Sequence, residues 1–323
     1  MNLLTIAFFF CLLFVTGICV SEELDLNRNT VIPHTEVELA IQNIVHELNE
    51  TYLYPEKAKI ASDNLLAKLR SGYFNQQYEF SRFNHEVTSI LFDSTRDSGF
   101  ELIKQQPMTL SAIDENNQES DSKPQDSITV EVLENNIGYL KITGDFYFPN
   151  ENEILEEHLK VLSDVDALII DLRSADKIAI NIAQQLISYF VEPGLAIGNL
   201  RFNQRIDTLK SFNTKGFDRF KQDFPLYIIN SSFVAGSWEF FGHTLKHFDK
   251  AIIIGQETMG VGHIAKPIKV SDTMSIIMNH AVITHPVSNE SWESYGVVPD
   301  YFFEGNSAFE KAVDLASSQV MNK

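Results

Sequence analysis

Apolar positions recur at helical spacing early in the chain and give way to short continuous runs further on. Leu39, Ile41, Ile44, Val45 and Leu48 share one helical face, and so do Ala58, Ala61, Leu65, Leu66 and Leu69. The pattern predicts two helices within residues 35–70, separated at Tyr52-Leu53-Tyr54-Pro55, where Pro55 suits the first turn of the second helix. A third helix is predicted over 81–91 and a strand over 99–103. Residues 111–127 are polar and acidic and read as a loop or linker.

From residue 128 the texture changes. Residues 128–133 and 137–142 alternate as strands about Asn135-Asn136, a hairpin signal. Strands are then predicted at 167–172, 226–229, 251–255 and 274–278, and helices at 151–162, 178–190, 237–248 and 308–319. Apolar runs such as LIIDL and AIIIG alternating with helices imply an α/β fold with a largely parallel sheet covered on both faces.

The first residues stand apart. Positions 3–20 carry no charge and end at Ser21-Glu22-Glu23, as a secretory signal does, with Gly17 and Cys19 as small residues near the cleavage point. The segment lacks a Lys or Arg before its apolar stretch, and its eighteen residues are just long enough for an uncleaved anchor, which stands as the alternative. Bulky Ile18 argues against lipoprotein processing at Cys19. The division expected is therefore 1–20 signal peptide, 21–105 N-terminal helical module, 106–127 acidic loop or linker and 128–323 α/β core, in a secreted or periplasmic protein. The chain's 2 cysteines, Cys11 and Cys19, both fall in the signal, so the mature part is expected to lack disulfides and thiol chemistry.

Composition narrows the partners. The 323 residues hold 25 Lys+Arg against 44 Asp+Glu, a formal charge of −19, with 44% hydrophobic residues. That is enough apolar material for a sizeable core and the wrong sign for nucleic acid or an anionic membrane surface. Neither is expected as a partner, beyond the signal segment's own contact with membrane.

Four ordered segments, ALIIDLR at 167–173, PLYIINSS at 225–232, AIIIGQETMG at 251–260 and NESWESYGVVPD at 289–300, resemble the tail-specific (C-terminal processing) serine peptidases. With Tyr52-Leu53-Tyr54-Pro55-Glu56-Lys57-Ala58 added, the likeness is to their interphotoreceptor retinoid-binding branch and spans about residues 36–303. No segment fits the inserted peptide-binding module that many of these proteases carry. The resemblance implies a crotonase-like spiral α/β core behind a small N-terminal helical module.

It also implies catalytic positions, and these are altered. The nucleophilic serine of the family falls on Gly236 in Asn230-Ser231-Ser232-Phe233-Val234-Ala235-Gly236-Ser237-Trp238-Glu239. The glycine-rich oxyanion turn after Asp171-Leu172-Arg173 is replaced by Ser174-Ala175-Asp176-Lys177, which adds a carboxylate where negative charge would develop. The histidine base of the branch falls on Gly99 in Asp97-Ser98-Gly99-Phe100, and the lysine base of other members falls near Val261. Of the expected roles, only acidic Glu239 is recognisable. Glycine has no oxygen with which to attack a carbonyl.

The remaining candidates have plain readings. Ser237 is one residue from the nucleophile position and reads first as a helix N-cap; as a relocated nucleophile it would need a base such as His263 or His243. His243 and His247 share a helix face at zinc-binding spacing, but no third ligand is identifiable, so they read as surface residues beside Lys246. His280 and His285 read as loop or rim residues. Gly255, Gly260 and Gly262 form a turn without the Lys-Ser/Thr of a phosphate loop. Asn49, Asn230 and Asn289 open glycosylation sequons, and the 24 phenylalanines supply core with a few left for an apolar pocket. No cofactor or metal is expected. The expected function is a non-catalytic, exported relative that binds a peptide or apolar small molecule in the ancestral cleft, with an active serine endopeptidase using Ser237 as the alternative.

Overall fold

The computed structural model describes residues 30–105, 127–146 and 150–322. The predicted signal at 1–20, both cysteines, and the predicted linker save Ser127 lie outside the described residues. Among the described residues no helix is long and apolar enough to cross a membrane. The chain divides into two compact units, Met1–Pro107 with Lys266–Met278, and Met108–Ala265 with Asn279–Lys323.

In the first unit, helix α1 (His34–Thr51) ends at Tyr52, and α2 (Pro55–Arg70) begins on the proline as the sequence predicts. Strands β1 (Val31–Ile32) and β2 (Tyr78–Glu79) pair antiparallel before α3 (Phe80–Thr95). Strand β3 (Glu101–Lys104) pairs with the first residues of a later strand, β12 (Met274–Thr284), through Met274 to Ile277. Val37, Ile41, Ile44 and Leu48 of α1 bury against Ala61 and Leu65 of α2 and Val87 and Leu91 of α3. The helical periodicity is thus the inner face of this unit.

The second unit is built on a six-stranded sheet. Strands β4 (Ile128–Leu133) and β5 (Ile137–Phe146) form the antiparallel hairpin, with Asn135 and Asn136 both at positive φ as a tight turn requires. Next come α4 (Glu151–Val161), β6 (Ala167–Ile178), α5 (Ile180–Ser188), and the strands β7 (Ala196–Phe202) and β8 (Ile206–Lys210). Then follow α6 (Asp218–Lys221), β9 (Leu226–Asn230), α7 (Ser237–His247), β10 (Ile252–Gly255), β11 (His263–Lys269), β12, β13 (Tyr301–Phe302) and α8 (Gly305–Met321). The sheet runs β13-β10-β9-β6-β5-β4, parallel except for β4. One face buries α4, α5 and α7 through Leu155, Leu186, Trp238 and Phe241; the other buries Ala308, Ala312 and Ala316 of α8 against Tyr139, Ile169 and Ile229. A second, antiparallel layer pairs the end of β12 with β7, and β7 with β8.

Two expectations change. The strand predicted at 167–172 continues to Ile178, because Ser174, Ala175 and Ile178 pair with Thr143, Gly144 and Phe146 of β5 across two shifts of register. The following helix therefore starts at Ile180. Strands β7 and β8 are additions, since neither has a continuous apolar run and β8 is exposed along most of its length.

Candidate functional site

The site is assembled where two parallel neighbours, β9 and β10, end and their loops turn over the sheet. β9 is apolar and buried up to Asn230, and Ser231 then fixes the turn: its hydroxyl donates to Arg173 O at 3.1 Å and its carbonyl accepts Val234 N–H at 3.2 Å. Gly236 is the N-cap of α7 with φ 62 and ψ −121, a backbone state that a side chain strains. Ser237 is the first residue of the helix. The cap expected at Ser237 is one residue earlier, because only glycine takes this conformation freely.

Glu239, fully buried in the first turn of α7, ties the site together. Its Oε2 accepts the N–H of Gly236 and of Val261, each at 2.8 Å. Its Oε1 accepts Thr258 Oγ1–H at 2.5 Å and Gly260 N–H at 2.7 Å. Three amides, a hydroxyl and the positive end of the helix replace the carboxylate's lost water. Thr258 Oγ1 in turn accepts Val297 N–H at 2.7 Å. Gly236, Glu239 and Val261 are thus brought together, and Ser237 contributes to none of Glu239's four bonds.

The loop after Val261 has a second carboxylate anchor. Glu293 Oε2 accepts the N–H of Gly262 at 2.7 Å and of His263 at 2.9 Å, while Oε1 lies 2.9 Å from His263 Nδ1. Burial pushes the Glu293 carboxyl up, but the His263 ring and these two amides outweigh it and hold it below the usual carboxylate range. Trp292 Nε1 donates to Val261 O at 3.0 Å. Sequence reasoning passed over Thr258, Trp292 and Glu293, although all three sit in or beside the segments that carry the family resemblance.

Below the site, Asp171 is fully buried and accepts Tyr139 OH at 2.7 Å and Arg173 Nη2 at 2.6 Å. Burial pushes its carboxyl up, yet the bonds from Arg173 and Tyr139 prevail and hold it low. Arg173 also reaches Gly305 O, at the start of α8. Beyond Arg173 no turn forms. Ser174 and Asp176 are exposed and Ala175 is buried, as alternation along a paired strand dictates.

The other candidates fall elsewhere. Gly99 belongs to the first unit, where its N–H donates to Asp97 Oδ1 at 2.8 Å and Tyr52 OH donates to Asp97 Oδ2 at 2.8 Å. His243 is a buried residue, not a surface one, at 6% exposure. It lies six residues beyond Ser237, ~9 Å along α7 and on another face, so it does not serve that hydroxyl as base. His285 does lie in the loop just after β12 but is buried there, at 6% exposure, and His280 is a half-buried residue inside β12, so neither is a rim residue. Among the described residues no group of three His, Cys, Asp or Glu has the geometry to hold a metal ion. The sequon asparagine Asn230 is buried in β9, whereas Asn289 is exposed.

The sequence model of peptidase family S41 matches residues 136–303, which include every residue of the Glu239 site. Among solved structures, a photosystem II D1 C-terminal processing protease superposes with a TM-score of 0.62 at 12% identity, over 83% of this chain and 93% of that one. A lipoprotein from Streptococcus agalactiae gives 0.57 at 12% identity, over 87% and 96%. A putative peptidase from Parabacteroides merdae gives 0.57 at 13% identity, over 87% and 95%. At these identities the likeness is one of fold.

Proposed function

The chain belongs to peptidase family S41, and we propose that it keeps the family's cleft for binding and has given up hydrolysis. Gly236 carries this reading. It occupies the strained cap of α7 where the resemblance expects the nucleophilic serine, and it has no oxygen to offer. The other altered positions support the same conclusion. Val261 stands where a lysine base would be, Gly99 where a histidine would be, and residues 174–178 form strand in place of an oxyanion turn. A missing oxyanion donor alone typically costs on the order of 10²–10³ in rate.

What surrounds Gly236 suits apolar binding. Phe233 is 76% exposed on the turn before it, and Met259 and Val261 are exposed on the facing loop, tied to that turn by Met259 N–H to Val234 O at 2.9 Å. The ligand class is an extended peptide or an apolar small molecule. Native mass spectrometry of the purified chain should reveal retained ligand, while a serine-directed fluorophosphonate probe and unfolded-protein substrates should leave it unlabelled and idle. Turnover or labelling would overturn the reading.

A second reading, an endopeptidase with Ser237 as relocated nucleophile, draws on the His263–Glu293 pair, in which a carboxylate orients an imidazole as in serine hydrolases. It requires labelling that Ser237→Ala abolishes. The finer assignments are part of the proposal as well. The uncharged stretch at 3–20 supports export, to be tested by the amino terminus of secreted protein, and residues 52–58 support the retinoid-binding branch.

A further inference from the structure

Helix α7 carries the Glu239 site at its first turn and a cluster of imidazoles at its other end. His243 and His247, one turn apart, stack with ring centroids 4.0 Å apart and planes at 30°. His285, the residue after β12, closes on them at 5.1 Å from His247 and 6.3 Å from His243. Phe248 lies 5.1 Å from His285, and Trp292 lies 5.1 Å from His243. The cluster is therefore packed between aromatic rings.

Hydrogen bonds define where further protons would go. His247 Nδ1 lies 2.9 Å from His243 O, a carbonyl that only accepts, so Nδ1 carries hydrogen. His285 Nδ1 accepts the N–H of Val287 at 3.4 Å and of Ser288 at 3.3 Å, so its neutral form carries hydrogen on Nε2. That Nε2 is buried without a partner. A second proton on His285 would have to enter Nδ1, against the two N–H groups of its own turn, with the Ser288 hydroxyl at 3.4 Å the one group there able to accept it. The charged groups nearby compensate poorly. Lys246 on the same helix adds positive charge and is paired with Asp300 at 2.8 Å. Glu290 lies 3.5 Å from His247 Nε2 and is largely exposed.

The cluster is also wired to the site. Trp292, against His243, holds Val261 O through its indole N–H, and Val261 N–H is bound to Glu239. We propose that His243 and His285, packed against His247, form an acid-sensitive latch. Uncharged, they close α7 onto the Trp292 segment; protonated, they release that segment and loosen the Val261 main chain at the Glu239 site. The latch stands on these contacts and does not depend on the binding reading, because it concerns the motion of the main chain.

Its sign follows from the surroundings. Burial, with His247, His285 and Lys246 adding to it, pushes His243 down to about 3. Burial and His247 lower His285 too, with Glu290 opposing. An opened segment would return both rings to the ordinary value near 6.5. Opening should then become roughly tenfold more favourable per pH unit below about 6.5 through His243, with His285 adding in the same direction.

The test is hydrogen exchange on the intact chain at pH 7.5 and 5.5, corrected for intrinsic exchange. Protection at residues 256–264 and 286–297 should fall by roughly tenfold or more in the unaltered chain, while β5, β6 and β9 hold theirs. His243→Phe, which keeps an aromatic ring against Trp292, should take roughly tenfold out of that fall. His243→Gln is the second variant, with far-UV circular dichroism reporting whether each folds. Should neither fold, the unaltered chain still decides by whether its pH response is confined to the two segments. No fall, a fall spread across the whole unit, or an undiminished fall in a folded variant overturns the latch.

Discussion

Gly236 and Val261 donate their main-chain N–H groups to one oxygen, Glu239 Oε2, each at 2.8 Å. The position that the family resemblance assigns to the nucleophile and the residue near which it places a lysine base are thus held, main chain to main chain, within two hydrogen-bond lengths of each other by one carboxylate. Glu239 is first a structural acceptor, so its loss should be felt in stability. Glu239→Gln puts an NH₂ group against a ring of donors and leaves at least one buried partner unsatisfied. A loss of about 3 kcal/mol is expected. Urea denaturation measures it, and a loss below about 1 kcal/mol would show that the carboxylate is not what fixes the two loops.

The same relationship predicts how hydrolytic chemistry could be regained. A Cβ added at Gly236 meets nothing within 4 Å, so a serine fits sterically, at a backbone cost of about 1–3 kcal/mol for φ 62. Gly236→Ser alone should not label with fluorophosphonate, because no base accompanies it. Gly236→Ser combined with Val261→Lys should gain slow labelling, since both side chains spring from main chain bound to one oxygen. Labelling by the single variant as strong as by the pair would mean that another residue already serves as base.

How far the sequence carried the fold depends on where each element's neighbours come from. LIIDL, and IIIG after its exposed first residue, are buried on both faces, so their own composition announces β6 and β10, and the i, i+4 alanines of α8 do the same. Residues 174–178 look like a turn on their own. They become strand only because Thr143 to Phe146 lie alongside, a pairing no local pattern encodes. The histidines failed for the same reason. A polar side chain reads as surface until the structure places His285 and Trp292, more than forty residues away, over His243. The site was legible through Gly236 and Glu239 in one segment and Val261 in another. Its second half, Thr258, Trp292 and Glu293, consists of supporting contacts that exist only after folding.

Gly255 ends β10 beside Asn230, and here space decides where conformation alone does not. Its φ is 123, and a Cβ would lie 2.1 Å from Asn230 O, a main-chain atom of the neighbouring strand that cannot step aside. Gly216, with φ 85, has nothing within 4 Å of the same added atom. Gly255→Ala should cost about 3 kcal/mol or more and disturb the entry to the site. Gly216→Ala should cost about 1–2 kcal/mol, from backbone strain only. Thermal midpoints of the two variants make the comparison, and equal losses would count against the close approach of β9 and β10.

Acid should destabilise the fold in two windows with different owners. His243 and His285 are lowered, so the unfolded chain binds protons that the native one refuses, starting at about pH 6.5. Their stabilising contribution is complete above that value and is lost as pH falls below it, at ~1.4 kcal/mol per pH unit for His243 with His285 adding to it. Asp171 and Glu293 are also lowered, but from the carboxylate range. What they contribute is complete above about pH 4 and is lost only as pH falls through their native values. Denaturant unfolding from pH 8 to 3 should therefore show a flat stretch, a decline from about pH 6.5, and a further decline below about pH 4. His243→Phe should make the first decline shallower by about 1.4 kcal/mol per pH unit and leave the second in place, whereas Asp171→Asn should act on the second. A stability that rises on acidification from pH 7 to 5 would mean that the buried imidazoles gain a partner on protonation, contrary to their surroundings of aromatic rings, Lys246 and one exposed glutamate.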